Sequence, residues 1–150
     1  FRVKVGKMTK VGKVFSLFYS PPAGRTTVDS FALDSKGIVN DKHYNKSIDR
    51  SVLIASLESY ALVKRHGIDA AYGALGENVL IDYNPYHLAA GTKLKIGKAT
   101  LEISQLCTLC KSLTAIDSKV PKLLKDDRGI FAKVIESGNI KEGDAIYLLD

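Results

Sequence analysis

Cys107 and Cys110 are the only cysteines of the 150-residue chain, and they stand three positions apart within residues 101–113. A Cys-x-x-Cys pair admits three chemistries: half of a zinc site, a redox dithiol, or one working thiolate beside a silent neighbour. Structural zinc takes four ligands. There is no second such pair here, and His43, His66 and His87 are scattered. A thioredoxin-like dithiol needs a strand before the motif, a helix after it and a parallel βαβ setting. The strand is expected, but the parallel setting is not. The bland reading makes the thiols small buried apolar groups, and for Cys107 that reading is favoured. Cys110 precedes Lys111, and a cation with the open amides of a helix start would stabilise a thiolate there.

Three other stretches carry reactive side chains. Asn40-Asp41-Lys42-His43-Tyr44, followed by Arg50, packs acid, base and imidazole into a polar loop suited to anion binding or proton transfer. The competing reading has Asp41 capping a turn and His43 on the surface. Gly76-Glu77-Asn78 places an acid and an amide after a glycine turn, at a pocket rim or in an exposed β-turn. In Asp127-Arg128-Gly129-Ile130-Phe131 an arginine at a strand start can grip a phosphate or carboxylate bidentately, or lie in a surface turn.

These stretches need elements to hold them. Residues 11–20 are rich in β-branched and aromatic side chains and read as a strand, ended by Pro21-Pro22-Ala23-Gly24. Val28, Phe31 and Leu33 form a short alternating run. Residues 51–54, 79–81, 131–136 and 145–149 read as further strands, with a turn at 137–139. A helix is expected over 56–66, with Leu57, Tyr60, Ala61 and Lys64 on one face and Gly67 as its left-handed stop. Residues 93–103 read as a hairpin turning at Gly97-Lys98. Its register sets Leu94 opposite Leu101, Ile96 opposite Ala99, and Lys93 opposite Glu102 as a charge pair. Pro121 suits the opening of a short helix. Gly91-Thr92-Lys93-Leu94-Lys95-Ile96 and Gly143-Asp144-Ala145-Ile146-Tyr147-Leu148 are alike, each a turn feeding a strand. Many short strands, glycine turns and one good helix point to a mainly-β barrel with a few helical insertions.

Composition sets the outer bounds. Apolar residues make up 45% and charged residues 25%, ordinary for one globular domain over residues 1–150. The only methionine is Met8, so residues 1–10 are expected to be flexible or a processing remnant. No run of about 18 apolar residues spans a membrane, and no secretory signal pattern opens the chain. With so few cysteines, a reducing cytoplasm is the expected compartment. The net charge of +6 favours an anionic partner: nucleic acid, phosphate or an anionic cofactor. Nucleic acid is disfavoured, because Tyr and Phe are not interleaved with Lys and Arg as a stacking platform. No flavin, haem or iron–sulfur motif is present.

In order along the chain, these motifs resemble those of the MOSC domain, the C-terminal domain of molybdenum cofactor sulfurase. The segments are Gly37-Ile38-Val39-Asn40-Asp41-Lys42-His43, Arg50-Ser51-Val52-Leu53, Gly76-Glu77-Asn78-Val79 and Gly91-Thr92-Lys93-Leu94-Lys95-Ile96-Gly97. Glu102-Ile103-Ser104-Gln105-Leu106-Cys107-Thr108-Leu109-Cys110, Arg128-Gly129 and Gly143-Asp144-Ala145-Ile146-Tyr147-Leu148 complete the series. Cys110 falls at the family's cysteine and Cys107 where the family often has arginine. Leu106 and Leu109 replace prolines, and Asn40 replaces a glycine.

The resemblance implies a MOSC-type β-barrel similar to the pyruvate-kinase barrel domain. It implies molybdenum cofactor (molybdopterin) handling or sulfur transfer through Cys110, as catalytic residue and metal ligand. It also implies a pocket braced by Asp41, His43, Arg50, Glu77, Asn78, Lys111 and Arg128. Reduction of N-hydroxylated substrates is known for small relatives, and it would require an external electron donor; a sulfur-carrier role would require a sulfur donor protein. Two other classes stay open: a non-catalytic basic barrel that binds nucleic acid or another anion, and a Cys107–Cys110 dithiol oxidoreductase.

Overall fold

The computed structural model describes residues 7–108 and 111–149. In chain order these form β1 (Met8–Tyr19), β2 (Thr26–Val28), β3 (Ser30–Asp34), β4 (Gly37–Ile38), β5 (Val52–Ser56), α1 (Leu57–Arg65) and β6 (Val79–Ile81). There follow β7 (Lys93–Ile96), β8 (Ala99–Leu106), the single turn α2 (Val120–Leu123), β9 (Ile130–Glu136), β10 (Gly138–Lys141) and β11 (Ala145–Leu149). Short 3-10 turns cover Ile48–Arg50 and Lys111–Ala115.

Among the described residues, the main sheet runs β11-β7-β8-β9-β5-β6-β1-β2, and a β11–β1 pairing closes it into a seven-strand barrel with β2 as an appendage. β5 and β6 are its parallel pair. A parallel pair needs a long crossover, and α1 with the loop after it supplies one. A small sheet, β10-β3-β4, lies beside the barrel.

Two-residue alternation sorts the strand side chains. Val52 and Ile54 of β5 and Val79 and Ile81 of β6 join the barrel core with Val14, Leu17, Leu94, Leu101 and Ile103. Their outward neighbours Ala55 and Leu80 pack under Tyr60, Val63, Leu113, Val120 and Leu124. Both faces of β5 and β6 are therefore covered, which is why these strands read as unbroken apolar runs.

The hairpin forms with the expected register: Lys93 opposite Glu102, Leu94 opposite Leu101 and Ile96 opposite Ala99. The ion pair of Glu102 runs to the other neighbour, however, with Lys133 of β9 at 3.2 Å. The two similar turn–strand units become β7 and β11, which pair antiparallel with each other.

Helix α1 starts where expected. Ser56 caps it by accepting the Glu58 amide at 3.1 Å, and Gly67 takes φ +76° just past its end. The buried face differs from expectation. It consists of Ser59, Tyr60 and Val63, whereas Ala61 and Lys64 are exposed. The helix leans toward β5 and β6 by its Tyr60–Val63 row, and the stretch 68–72 turns back beside its other flank. Pro121 lies in the first turn of α2, as its fixed φ favours.

Two boundaries also differ. β1 begins at Met8, and residues 8–10 pair with β11. Residues 138–141, the first two of them read as part of a turn, form β10 against β3. Gly138 sits there because a Cβ would lie 2.3 Å from the Lys98 carbonyl oxygen. No helix among the described residues is long and apolar enough to cross a membrane.

Tyr86 ties α1 to the start of the crossover. Its hydroxyl accepts the Ser56 amide at 2.8 Å and shares a 2.6 Å hydrogen bond with Ser59. Burial pushes its pKa up to about 12, above the ordinary tyrosine value near 10. The unfolded chain thus loses this proton first as pH rises, so the contribution is complete below about pH 10 and gone above about pH 12. Thermal unfolding followed from pH 9 to 12 is expected to show roughly 2–3 kcal/mol of stability lost across that window. Tyr86→Phe is expected to make the fall shallower, and an unchanged slope would contradict the assignment.

Candidate anion-binding cleft beside the cysteine segment

The cleft that gathers His43, Arg50, Asn78 and Arg128, four of the eight site residues selected from sequence, lies on the outer face of β5 and β9. It encloses about 430 Å³ and is lined by His43, Lys46, Ser47, Arg50, Leu53, Leu75, Gly76, Asn78, Cys107, Ser112, Arg128 and Phe131. That volume is in the range of small-molecule sites. Its floor is apolar: Leu53 and Phe131 face each other across the β5–β9 ladder, and Cys107 packs against both. Gly129 makes the floor possible. A Cβ there would lie 2.9 Å from Leu53 Cδ1, and the Gly129 carbonyl accepts the Cys107 amide at 2.9 Å.

The first wall is the loop before β5. Asn40 adopts φ +72°, a left-handed conformation that asparagine tolerates better than most residues. This explains how it can stand where the resembling family has glycine. Asp41 then staples the loop: its carboxylate accepts the Ser20 amide at 2.7 Å and the His43 amide at 2.9 Å. Asp41 faces a neighbouring groove with Ser20 and Arg25, so its part in the cleft is to hold the loop. His43 reaches the rim, with its side chain 60% exposed and Nδ1 3.4 Å from Asp41. Tyr44 donates to Asp34 at 2.6 Å, which holds the Asp34 carboxyl below its ordinary range. Ser104 of β8 donates to the Asp49 carbonyl and anchors the 3-10 turn. The next residue, Arg50, lays its guanidinium over the Phe131 ring at 5.6 Å. Stacking occupies the flat face of a guanidinium and leaves its N–H edge for an anion.

The second wall is the stretch 73–78. Asn78 lines the cleft, but its amide is committed to the fold. Oδ1 accepts the Leu53 amide at 3.0 Å and Nδ2 donates to the Phe18 carbonyl at 3.2 Å. Its backbone bonds to the same two residues, N–H to Leu53 O at 2.8 Å and C=O to Phe18 N at 2.9 Å. Glu77 points the other way. It is fully buried, accepts the Tyr60 hydroxyl at 2.5 Å and lies 3.7 Å from Arg25. Burial, with the Glu77 carboxylate beside it, holds the Tyr60 hydroxyl proton well above the usual tyrosine range. Arg128 is 5% exposed and donates to the Leu75 carbonyl at 2.8 Å.

Of the residues selected from sequence, His43, Arg50, Asn78 and Arg128 thus line one cleft. Asp41 and Glu77 brace its walls from behind. Lys111 begins the 3-10 turn that contributes Ser112. Cys110 lies outside the described residues. Cys107 is 2% exposed, as a small buried apolar group should be, yet it also forms part of the floor. Lys46 and Ser47 carried no sequence signal beyond their place between His43 and Arg50. Among the described residues no carboxylate lines the cleft, while Lys46, Arg50 and Arg128 do. No group of three or more His, Cys, Asp or Glu side chains converges as a metal site among those residues.

A barrel of this topology with this order of site segments defines a known class. Residues 40–147 match the model of the MOSC domain, and the chain belongs to that family. Its fold is similar to that of the YuaD protein from Bacillus subtilis, at 17% identity over 97% of this chain and 99% of that one, with a TM-score of 0.79. YiiM from Escherichia coli is similar at 20% identity, covering 94% of this chain and 69% of that one, with a TM-score of 0.70. For YiiM from Geobacillus stearothermophilus the values are 18% identity, 96% and 76% coverage, and a TM-score of 0.67. No curated protein matches the sequence.

The Asn78 amide sets the geometry of the cleft edge. Asn78→Ala is expected to take from the Leu53 N–H and the Phe18 C=O the partner that the side-chain amide supplies and to cost about 2–4 kcal/mol in urea unfolding. Asn78→Ser is not expected to rescue it, because a hydroxyl cannot reach both strands.

Proposed function

We propose that this protein binds a phosphate-bearing, pterin-type molybdenum cofactor in the cleft, or carries sulfur beside it, through Cys110. The observation that carries this reading is the electrostatic character of the cleft: three cations and a histidine around an apolar floor, with no carboxylate among the described lining residues. Such a site favours an anion with a flat apolar part. Cys107 and Ser112, which flank Cys110 in sequence, both line it. A soft thiolate suits molybdenum or a carried sulfur.

The donor set fits such a cofactor. Arg50 and Lys46 would meet its phosphate from the first wall and Arg128 from the second, while Leu53 and Phe131 exclude water from the floor. When bound, the cofactor supplies the electron chemistry. The chain positions the substrate, and His43 at the rim can pass a proton. For an N-hydroxylated base, an electron pair from a separate donor protein and protons from the site would convert N–OH to N–H and release water.

Protein purified from a host that makes the cofactor is expected to retain molybdenum in near-stoichiometric amount, measured by elemental mass spectrometry. A persulfide on Cys110 in the intact mass would select the sulfur-carrier form of the proposal. Cys110→Ser is expected to lose the metal or the persulfide, and Arg50→Ala to weaken retention about tenfold, in line with loss of a charge-assisted contact. A Cys110→Ser protein that keeps its full load would refute the reading.

A further inference from the structure

The geometry points to Arg25 as a positioning residue of the cleft, acting through the stretch 73–77 that forms its second wall. This inference rests on the reading of the cleft as an anion site and adds a residue that lies outside both the cleft and the MOSC-matched segment 40–147.

Arg25 follows the Pro21–Gly24 turn and opens toward β2. Its Nη2 donates to the Gly73 carbonyl at 2.8 Å and to the Glu77 carbonyl at 2.7 Å, so one nitrogen clasps both ends of the stretch. The guanidinium is held over the Phe18 ring at 5.2 Å. Beneath it lies the Glu77 carboxylate. Oε2 takes the Tyr60 hydroxyl at 2.5 Å and the Gly73 amide at 3.3 Å. Oε1 has no hydrogen-bond partner among the described residues, and its nearest cation is Arg25 Nη2 at 3.7 Å. The Tyr60 hydroxyl also accepts the Gly73 and Leu75 amides, at 3.0 and 3.3 Å.

The opposite side of the same stretch faces the cleft. There Leu75 and Gly76 line it, and the Leu75 carbonyl takes the Arg128 guanidinium at 2.8 Å. Arg25 and Arg128 therefore grip one short loop from its two sides. Releasing Arg25 frees the Gly73 and Glu77 carbonyls that it clasps and, separately, takes the counter-charge from a buried carboxylate, so the loop rearranges through loss of the clasp even where the charge is removed. Leu75 O then no longer presents Arg128 at its present place. Small displacements of a charged donor weaken anion binding steeply.

The test uses inorganic pyrophosphate as probe, titrated by calorimetry against the full chain. Wild-type protein is expected to bind it, and Arg50→Met to weaken that binding directly. Arg25→Met is expected to weaken it about tenfold. Arg25→Lys keeps the charge but not the planar stack on Phe18, and it is expected to resemble Arg25→Met. The double variant Arg25→Met with Glu77→Gln removes the buried charge and guards against unfolding. It too should bind about tenfold more weakly, because the clasp on Gly73 and Glu77 carbonyls is still lost.

Amide hydrogen exchange at Gly73 and Leu75 should accelerate in the three variants that replace Arg25, and not in Arg50→Met, while exchange in β7 and β8 stays put. Wild-type affinity in the folded double variant would overturn the inference, as would full recovery by Arg25→Lys, which would reduce Arg25 to a distant charge. Failure of the underlying cleft reading shows itself separately, as a flat titration of wild type or an unaffected Arg50→Met, and either result would overturn the inference with it.

Discussion

The side-chain amide of Asn78 is the interaction on which the site depends. It stands just ahead of β6, between β5 and β1, and holds both with side chain and backbone at once. The strand ladder therefore continues one residue beyond the point where the chain has left regular β-structure. That extension keeps Leu53 at the cleft floor and lets the preceding turn fold outward as a wall. An amide suits this task because it carries donor and acceptor together on a short stem. A carboxylate would repel the Phe18 carbonyl, and a longer amide would not fit the spacing of adjacent strands.

The arrangement of charge follows from the same walls. The two acids selected from sequence near the site are turned away from it: Asp41 accepts two backbone amides, and Glu77 accepts the Tyr60 hydroxyl and lies beside the Arg25 guanidinium. The cations are turned inward, Arg50 on the Phe131 ring and Arg128 on the Leu75 carbonyl. A chain of net charge +6 needs no unusual cluster of basic residues to make a positive cleft. It needs only to sequester the acids that would cancel them.

Much of the fold was legible because it is written in local periodicity. The β7–β8 hairpin could be registered to the residue, since a two-residue turn and a two-residue side-chain period leave one solution. The ends of α1 could be placed from Ser56 and Gly67. Its buried face could not, because Val63 and Ser59 are favoured by the neighbouring crossover and by the Tyr86 hydroxyl, both distant in sequence. β10 was hidden for a related reason: Gly138 and Asn139 look like turn residues, and only the close approach of Lys98 explains the glycine. At the site, motif order found the right segments but not the roles within them. Nothing in Gly76-Glu77-Asn78 says that the glutamate faces inward to a tyrosine seventeen positions earlier. Arg25 carried no local signal at all.

The seam between β1 and β11 joins Met8 to Leu149 and closes the barrel. Its consequence lies in how the protein comes into being. During synthesis β1 is made well before its partner β11. Until then the edges of β1 and β7 stand open, and open edges are templates for pairing with other chains. Pairings this distant in sequence also form slowly. Helix α1, the β7–β8 hairpin and the β5–β6 crossover can assemble beforehand from nearby residues. The barrel can close only once β11 has been made, and a chain interrupted short of β11 would present a sheet with two unprotected margins.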